Sequence, residues 1–290
     1  MKALIVYNGG LGKDYILYDV VKDLIGEAQN LEIDLIPKSN EDLLVMETGQ
    51  GTQVLGLDFS PAFVLFLDKD LFLARALESM GYPVFNSPKA IEICDDKKKT
   101  YQSLEGLPMP KTIFSPLLYH PKENRAYCQK IWENLGPSLI VKAAKGSFGQ
   151  QVQRITSLED LLQWTRENST SSYLIQESIE ESLGRDIRVV IVGNKILGAM
   201  ERRNQKDFRS NIYLGGQGRE ISLFPQEENL ALEAHRRLGL VFSGVDLLYS
   251  SQGPLLCEVN SNLSYLGFQE VTSLPVGKFI LQEILRRIKK

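Results

Sequence analysis

The chain has 290 residues, 43% hydrophobic and 24% charged, the proportions of an ordinary globular protein long enough for two or three domains. A formal net charge of −3, from 33 Lys and Arg against 36 Asp and Glu, gives no basic field and argues against nucleic acid or membrane as partner. No apolar run approaches membrane-spanning length, and Met1–Tyr7 breaks at Asn8-Gly9-Gly10, too short for a signal-peptide core. Cys94, Cys128 and Cys257 are widely spaced and form no CxxC pair, which fits reduced thiols and a cytoplasmic location.

Residues 1–88 alternate strand and helix signals. Leu4–Tyr7 and Glu32–Ile36 read as strands, the second ended by Pro37, with a helix over Tyr15–Ile25 between them. Phe63–Leu67 is a continuous apolar run, Leu71–Met80 a helix stopped by Gly81, and Val84-Phe85 a short strand before Asn86-Ser87-Pro88. The alternation predicts a small parallel sheet with helices on both faces, a Rossmann-like α/β domain. Gly9-Gly10-Leu11-Gly12-Lys13 after the first strand suggests a phosphate loop. A Walker loop, however, needs Gly at Tyr7 and Ser or Thr at Asp14, and a dinucleotide fingerprint needs Gly at Tyr15. The stretch is therefore expected to be a plain flexible turn, with substrate contact as the other reading.

From Lys89 the character changes to a charged helical stretch carrying Asp95-Asp96-Lys97-Lys98-Lys99, by itself a solvated face, which Leu107-Pro108-Met109-Pro110 ends as a linker. Ser138–Lys142 is an apolar strand ending in a lysine, followed by Lys145-Gly146-Ser147-Phe148-Gly149 and a returning strand from Val152. Two glycines at such a tip let backbone N–H groups approach phosphate, and a strand-borne lysine behind them calls for an anion. The tip is also expected to move as a lid. Ser157 with Asp160 caps a helix over Leu158–Arg166, and Tyr173–Ile179 is a further strand.

Arg185–Val192 and Lys195–Arg203 flank Gly193-Asn194 as a two-residue-turn hairpin. Asp207-Phe208-Arg209-Ser210-Asn211 and Gly215-Gly216 follow, then a helix over Pro225–Leu238 on which His235 reads as a surface residue; His120 sits in a loop. Gly244–Leu248 and Leu255–Asn260 form a second hairpin about Ser250-Ser251-Gln252-Gly253-Pro254. Centred near Gln252, it sets Asp246 opposite Glu258, with Asn260 on the same face as Glu258. Like charges opposed at about 4.5–5.5 Å destabilise the pair, so these oxygens call for a cation, and Mg²⁺ suits them. From these residues alone, a hairpin with one wet polar face is equally open. Val276–Lys290 is an amphipathic helix. Two histidines and no recognisable Ser or Cys nucleophile motif leave covalent catalysis without apparatus.

Taken in order, the strand lysine Lys142, the Gly-Ser-Phe-Gly loop, Gln176-Glu177, Gly184-Arg185-Asp186-Ile187-Arg188, Asp207–Asn211, Gly244-Val245-Asp246 and Glu258-Val259-Asn260 resemble the RimK-type ligases of the ATP-grasp superfamily. That family includes the α-L-glutamate ligase acting on a ribosomal protein's C-terminus, and relatives in lysine and coenzyme biosynthesis. The likeness runs from about Lys89 to the C-terminus. It implies an ATP-grasp fold of two α+β lobes gripping ATP, behind the Rossmann-like domain: 1–88, a central lobe 89–180 and a C-terminal lobe 181–290.

The resemblance implies that Lys97, Lys142, Gly146 and Ser147 bind ATP phosphates, that Glu177, Ser178 and Ile179 hold adenine, and that Asp186 takes the ribose hydroxyls. Arg209, Ser210 and Asn211 would reach phosphate and the reacting carboxylate, with Arg209, Asn211 and Lys142 as the catalytic set. Asp246, Glu258 and Asn260 would hold two Mg²⁺ ions, with Mn²⁺ as an alternative. The choice of Lys97 among three adjacent lysines rests on the motif alone. Three departures stand out: Gln151 where a third glycine is usual, Leu214 where an arginine commonly precedes Gly215-Gly216, and a short helix after Lys97.

The expected reaction is ATP-dependent ligation of a carboxylate to an amine through an acyl phosphate, releasing ADP and phosphate. Positioning and charge neutralisation carry such chemistry, so no enzyme nucleophile is needed. Glutamate added to a protein or small-molecule acceptor is the family default, and a homo-oligomer is implied by resemblance only. The alternatives are a biosynthetic amino-group ligase like the lysine-pathway relatives, phosphoryl transfer ending at a stable acyl phosphate, and a non-catalytic ATP-binding protein.

Overall fold

The computed structural model describes residues 1–10, 16–120, 122–146 and 151–289. Tyr15, the expected start of the first helix, Gly12, Lys13, Ser147, Phe148 and Gly149 lie outside these residues.

The first unit is built on β1 (Lys2–Tyr7), α1 (Ile16–Asn30), β2 (Asp34–Ser39), β3 (Leu44–Thr48), β4 (Gly51–Leu55), β5 (Val64–Leu67), α2 (Leu71–Ser79) and β6 (Val84–Phe85). Its parallel sheet has the order β2-β1-β5-β6. Along β1 the pleat sends Ala3 and Ile5 towards α1 and Leu4 and Val6 towards α2, so both faces are buried and the strand is apolar throughout. Pro37 does not end β2 as expected; it pairs with Ile5. β2 is an edge strand, where a missing N–H breaks no ladder. The antiparallel hairpin β3-β4 was not foreseen. Gly9 is more than a plain turn: its N–H donates to Asn40 Oδ1 (2.8 Å), and a Cβ there would lie 2.8 Å from the Glu41 side chain.

Next come α3 (Pro88–Asp95), α4 (Lys97–Ser103), β7 (Thr112–Phe114), α5 (Arg125–Leu135), β8 (Leu139–Ala143), β9 (Val152–Ile155), α6 (Leu158–Asn168) and β10 (Tyr173–Glu177). The antiparallel sheet β7-β10-β8-β9 is covered by α5 and α6. The last unit has β11 (Arg185–Val192), β12 (Lys195–Arg203), β13 (Gln217–Ile221), α7 (Pro225–Arg237), β14 (Phe242–Leu248), β15 (Leu255–Asn260), α8 (Leu266–Thr272) and α9 (Val276–Ile288). Its sheet order is β13-β12-β11-β14-β15.

Burial ties these units together. One face of the last sheet, with Ile187, Val189, Val245 and Leu247, packs on Leu230, Ala231 and Ala234 of α7 and on Ala90, Cys94 and Leu104 of the α3–α4 segment. On the opposite side, Val190 and Phe242 share a core with Ala3, Ile5 and Leu24, closed by Ile280 and Ile284 of α9. Asn86 is the polar pin of this joint. Its amide donates to the Phe242 and Ser261 carbonyls (3.0 Å each), and its oxygen accepts from the Val241 N–H (2.7 Å).

His235 corrects a surface expectation. It lies on the inner side of α7, buried, with Nδ1 2.7 Å from Ser243 Oγ, and burial pushes its pKa down to about 4.

Candidate active site

A cleft of about 470 Å³ opens where the three units meet, within the range of small-ligand pockets. Its floor is the inner face of β12-β11-β14-β15. Two one-residue bulges decide what stands there. Counted outward from Gly193-Asn194, a regular ladder would oppose Asp186 to Glu201. A register shift after Ile191↔Ile196 instead opposes Asp186 to Arg202. In the second hairpin Leu247 pairs with Leu256 and Asp246 with Glu258, so Cys257 is the extra residue and the loop side departs from a simple centring on Gln252. Asp246↔Glu258 and Gly244↔Asn260 are nevertheless opposed, as the expected register has them.

These carboxylates are balanced by side chains of the chain itself. Asp246, 4% exposed, accepts from Arg188 Nε and Nη2 (2.9 Å to Oδ2), and Arg202 Nη2 lies 3.1 Å from the same Oδ2. Burial alone would raise the Asp246 pKa, but the two guanidiniums outweigh it and hold the carboxyl below its ordinary range. Arg202 also donates from Nε to Asp186 Oδ1 (2.8 Å), and its pKa is raised: burial opposes the charge, but Asp186 and Asp246 more than offset it. Asp186, expected at ribose, has its carboxylate engaged by Arg202. Gly244 leaves room for these side chains, because a Cβ there would lie 3.0 Å from Arg188 Nη1 and 2.8 Å from Leu263 Cδ1 and would displace them.

Glu258 is less enclosed, with 32% of its side chain exposed, and Lys97 Nζ lies 3.2 Å from its Oε1. Lys97 also donates to the Gly146 carbonyl (3.1 Å). The three adjacent lysines part company here. Asp96 caps α4 and turns Lys97 into the cleft, while Lys98 donates to Ser115 O and Oγ (3.0 and 2.8 Å) and Lys99 to Glu92 Oε1 (2.6 Å) on the surface. Lys142, on β8, reaches over the cleft to Cys257 Sγ at 3.8 Å, and desolvation shifts the half-buried Cys257 thiol up although the lysine pulls it down.

A Cβ on Gly146 would meet Gln151 Oε1 at 2.4 Å, so the residue in place of the usual glycine lies against the loop's first one. At the far end, Ser178 N–H donates to the Ser138 carbonyl (2.9 Å), Glu177 Oε1 accepts from Lys111 N–H (2.8 Å), and both residues line the cleft with Ile179. Arg185 stacks there on the Tyr249 ring, 3.8 Å from its centroid. At the other end stand Arg209, Ser210 and Asn211. Arg209 is bidentate to Asp207 (3.0 and 2.7 Å), which raises its pKa. The double glycine behind them answers a backbone demand: Gly215 has φ +89°, and a Cβ on Gly216 would lie 2.2 Å from the Ser210 carbonyl oxygen. Leu214 gives its carbonyl to Asn204 Nδ2 (3.0 Å).

The cleft thus brings together the sequence-predicted Lys97, Lys142, Gly146, Glu177, Ser178, Ile179, Asp186, Arg209, Ser210, Asn211, Asp246, Glu258 and Asn260, with Ser147 outside the described residues. It adds Arg188 and Arg202, to which the sequence reading gave no role. The hairpin itself was the available signal, but only the bulge shows which residues face each other. No group of three or more His, Cys, Asp or Glu among the described residues is arranged to hold a metal. An amide and carboxylates still suit Mg²⁺. Asp246 Oδ2 has two donors and Oδ1 one, which leaves one lone pair of Oδ1 on a residue that the strand register opposes to Glu258.

A family model of the RimK-like ATP-grasp domain matches residues 94–284. N-acetylaspartylglutamate synthase A of Mus musculus is 35% identical over 220 residues, covering 73% of this chain and 56% of that protein. A probable alpha-L-glutamate ligase of Legionella pneumophila is 31% identical over 220 residues, 74% of this chain and 71% of its own. The ATP-grasp ligase PsnB, solved with a phosphomimetic variant of its minimal precursor, Mg and ADP, has the same fold, with a TM-score of 0.71 at 16% identity over 100% of this chain and 99% of that one. With two thirds of its length matched by the family model, the chain belongs to the RimK-like ATP-grasp family of ligases.

Proposed function

We propose that the chain is an ATP-dependent ligase that joins a carboxylate to an amine through an acyl phosphate, releasing ADP and phosphate. The observation that carries this is a single cleft lined by Lys97, Lys142, Arg202 and Arg209 together with Asp246, Glu258 and Asn260, drawn from two sheets, a helix start and the loop after β12. Carboxylates do not condense with amines near neutral pH, so one must first become an acyl phosphate, a mixed anhydride whose phosphate then leaves as the amine attacks. Transfer of a phosphoryl group needs fixed positive charge about its oxygens. Lys142 and Lys97 supply it from one side and Arg209 from the other, where Asn211 would orient the acceptor carboxylate. The apolar far end, between Ile140, Ile179 and Leu248, would take adenine. Mg²⁺ held by Asp246, Glu258 and Asn260, as two ions and with Mn²⁺ as substitute, would neutralise charge on the nucleotide phosphates. The names of the relatives favour glutamate as the amino acid added, to a protein or small-molecule acceptor.

ADP and phosphate release measured over twenty amino acids against candidate acceptors, with mass spectrometry of products, tests the reading. The expected result is release that depends on both partners and a product lighter than their sum by one water. Phosphate release that ignores the amine, or no release with any pair, would overturn it.

A further inference from the structure

At the end of the cleft nearest the N-terminal sheet stands a carboxylate with no ion-pair partner among the described residues. Asp68 directly follows β5, is 5% exposed and lines the cleft. Its Oδ1 accepts from Asn8 Nδ2 (3.1 Å) and from the Lys69 N–H (2.7 Å). Its Oδ2 is buried and has no hydrogen-bond partner, and no lysine or arginine among the described residues forms an ion pair with it. The Lys69 ammonium lies instead 2.5 Å from Asp95. A second buried acceptor without a partner, Asn262 Oδ1, lines the same cleft just beyond β15. Leu17 and Leu67 line both this cleft and a small side pocket that Asn262 and Leu263 also line, and Asp68 directly follows Leu67, which puts Asp68 and Asn262 at the same end of the cleft.

Buried polar atoms are almost always paired, and a buried carboxylate without a cation is disfavoured more than a neutral group. Two unpaired acceptors at one end of the cleft, one of them anionic, are complementary to a group with several N–H donors, no acceptor and a positive charge. The ammonium of a free amino acid is such a group. A carboxylate or phosphate would be repelled there, and a hydroxyl would leave the charge unmatched. We propose that Asp68 and Asn262 bind the protonated amino group of an amino-acid substrate. The assignment rests on the ligase reading and gives that site its substrate chemistry. Asn8, Leu17, Leu67, Asp68 and Lys69 lie outside the matched residues 94–284, so the N-terminal unit would contribute substrate choice to a cleft whose other lining residues fall within the matched segment.

The test uses the full chain with Mg²⁺ and a non-hydrolysable ATP analogue, and reads binding by calorimetry. The probes are the twenty standard L-amino acids, each beside its N-acetyl form. At least one free amino acid should bind at least tenfold tighter than its N-acetyl counterpart. Asp68→Asn should weaken that binding roughly 10–100-fold and Asn262→Leu several-fold, with analogue affinity within about twofold of the parent in both. Asp68→Asn should melt no lower than the parent, since it removes an uncompensated charge. Asn262→Asp, a second carboxylate at the same end of the cleft, should tighten the ammonium and decides the matter if Asp68→Asn fails to fold. Equal binding of free and acetylated probes, or parent-like binding in the Asp68 and Asn262 variants, overturns the assignment. The binding arm needs no turnover, so absence of ADP release in the parent would sink the ligase reading separately.

Discussion

Asp246→Asn separates a hairpin that repels itself from one neutralised by arginines. The substitution keeps shape and removes charge from a side chain 4% exposed that holds both Arg188 and Arg202. Removing one member of a buried ion pair typically costs about 3–5 kcal/mol, because the partner is left buried and uncompensated. Arg202 keeps Asp186, which places the expected loss near the lower end, about 3 kcal/mol. At roughly 2–4 °C per kcal/mol for chains of this size, Tm should fall by ~6–12 °C. Calorimetry at neutral pH with EDTA and no nucleotide measures it, and adding Arg188→Met should recover part of the loss by removing the orphaned guanidinium. The pH dependence has a fixed sign. A folded pKa below the unfolded value of about 3.9 gives stability that is present above that value and lost as pH falls through the folded one. The gap between parent and variant should therefore narrow in acid below roughly pH 4. A variant as stable as the parent, or more so, in EDTA would refute the ion-pair account and return the hairpin to bare repulsion between Asp246 and Glu258.

Glu258→Gln should behave differently: its carboxylate is part-exposed, so the fold should survive with a change of about 0–1 kcal/mol, while Mg²⁺-dependent thermal stabilisation by ATP should largely disappear. Lys142→Ala should weaken ATP binding and cut turnover by roughly two orders of magnitude, with Lys99→Ala near the parent in ADP release; unchanged ATP affinity in the Lys142 variant would contradict its place in the cleft. Lys98→Ala should lose melting temperature rather than catalysis, since its ammonium ties α4 to Ser115. Asn86→Leu strands the Phe242 and Ser261 carbonyls and the Val241 N–H, at about 1–3 kcal/mol each, and urea midpoints should shift accordingly. His235, with its pKa lowered to about 4 by burial, is kept neutral in the fold, so its contribution is present above the unfolded value of about 6.5 and is lost as pH falls towards 4. Urea titrations at pH 7.5 and pH 5 should show a smaller acid loss in His235→Gln than in the parent.

Much of the architecture was legible because local rules agree with the tertiary outcome. Alternating strand and helix signals over the first residues produce a parallel sheet, and Gly193-Asn194 sets Arg185–Val192 against Lys195–Arg203 with the expected ends. What local rules missed depended on position in a sheet or on partners distant in sequence. A proline would end a central strand but is harmless at an edge, where Pro37 sits, and edge position is a property of the assembled sheet. His235 has no sequence mark of burial; α7 lies over Ser243, and only that packing encloses it.

The sequence by itself determined which chemistry the cleft can hold: the strand lysine, the acidic hairpin with Asn260, and the glycines whose Cβ positions are filled at Gly244 and Gly216. Tertiary structure decided how those charges are balanced. Side chains alternate at period two, so one extra residue in a strand exchanges its faces. The bulge that skips Leu197 opposes Asp186 to Arg202 rather than to Glu201, and pairing of β11 with β14 opposes Arg188 to Asp246. In the folded chain the hairpin's carboxylates are therefore faced by two arginines on neighbouring strands and by Lys97 from the start of a helix. No spacing along the sequence encodes that, because the three partners meet only when the sheets close around the cleft.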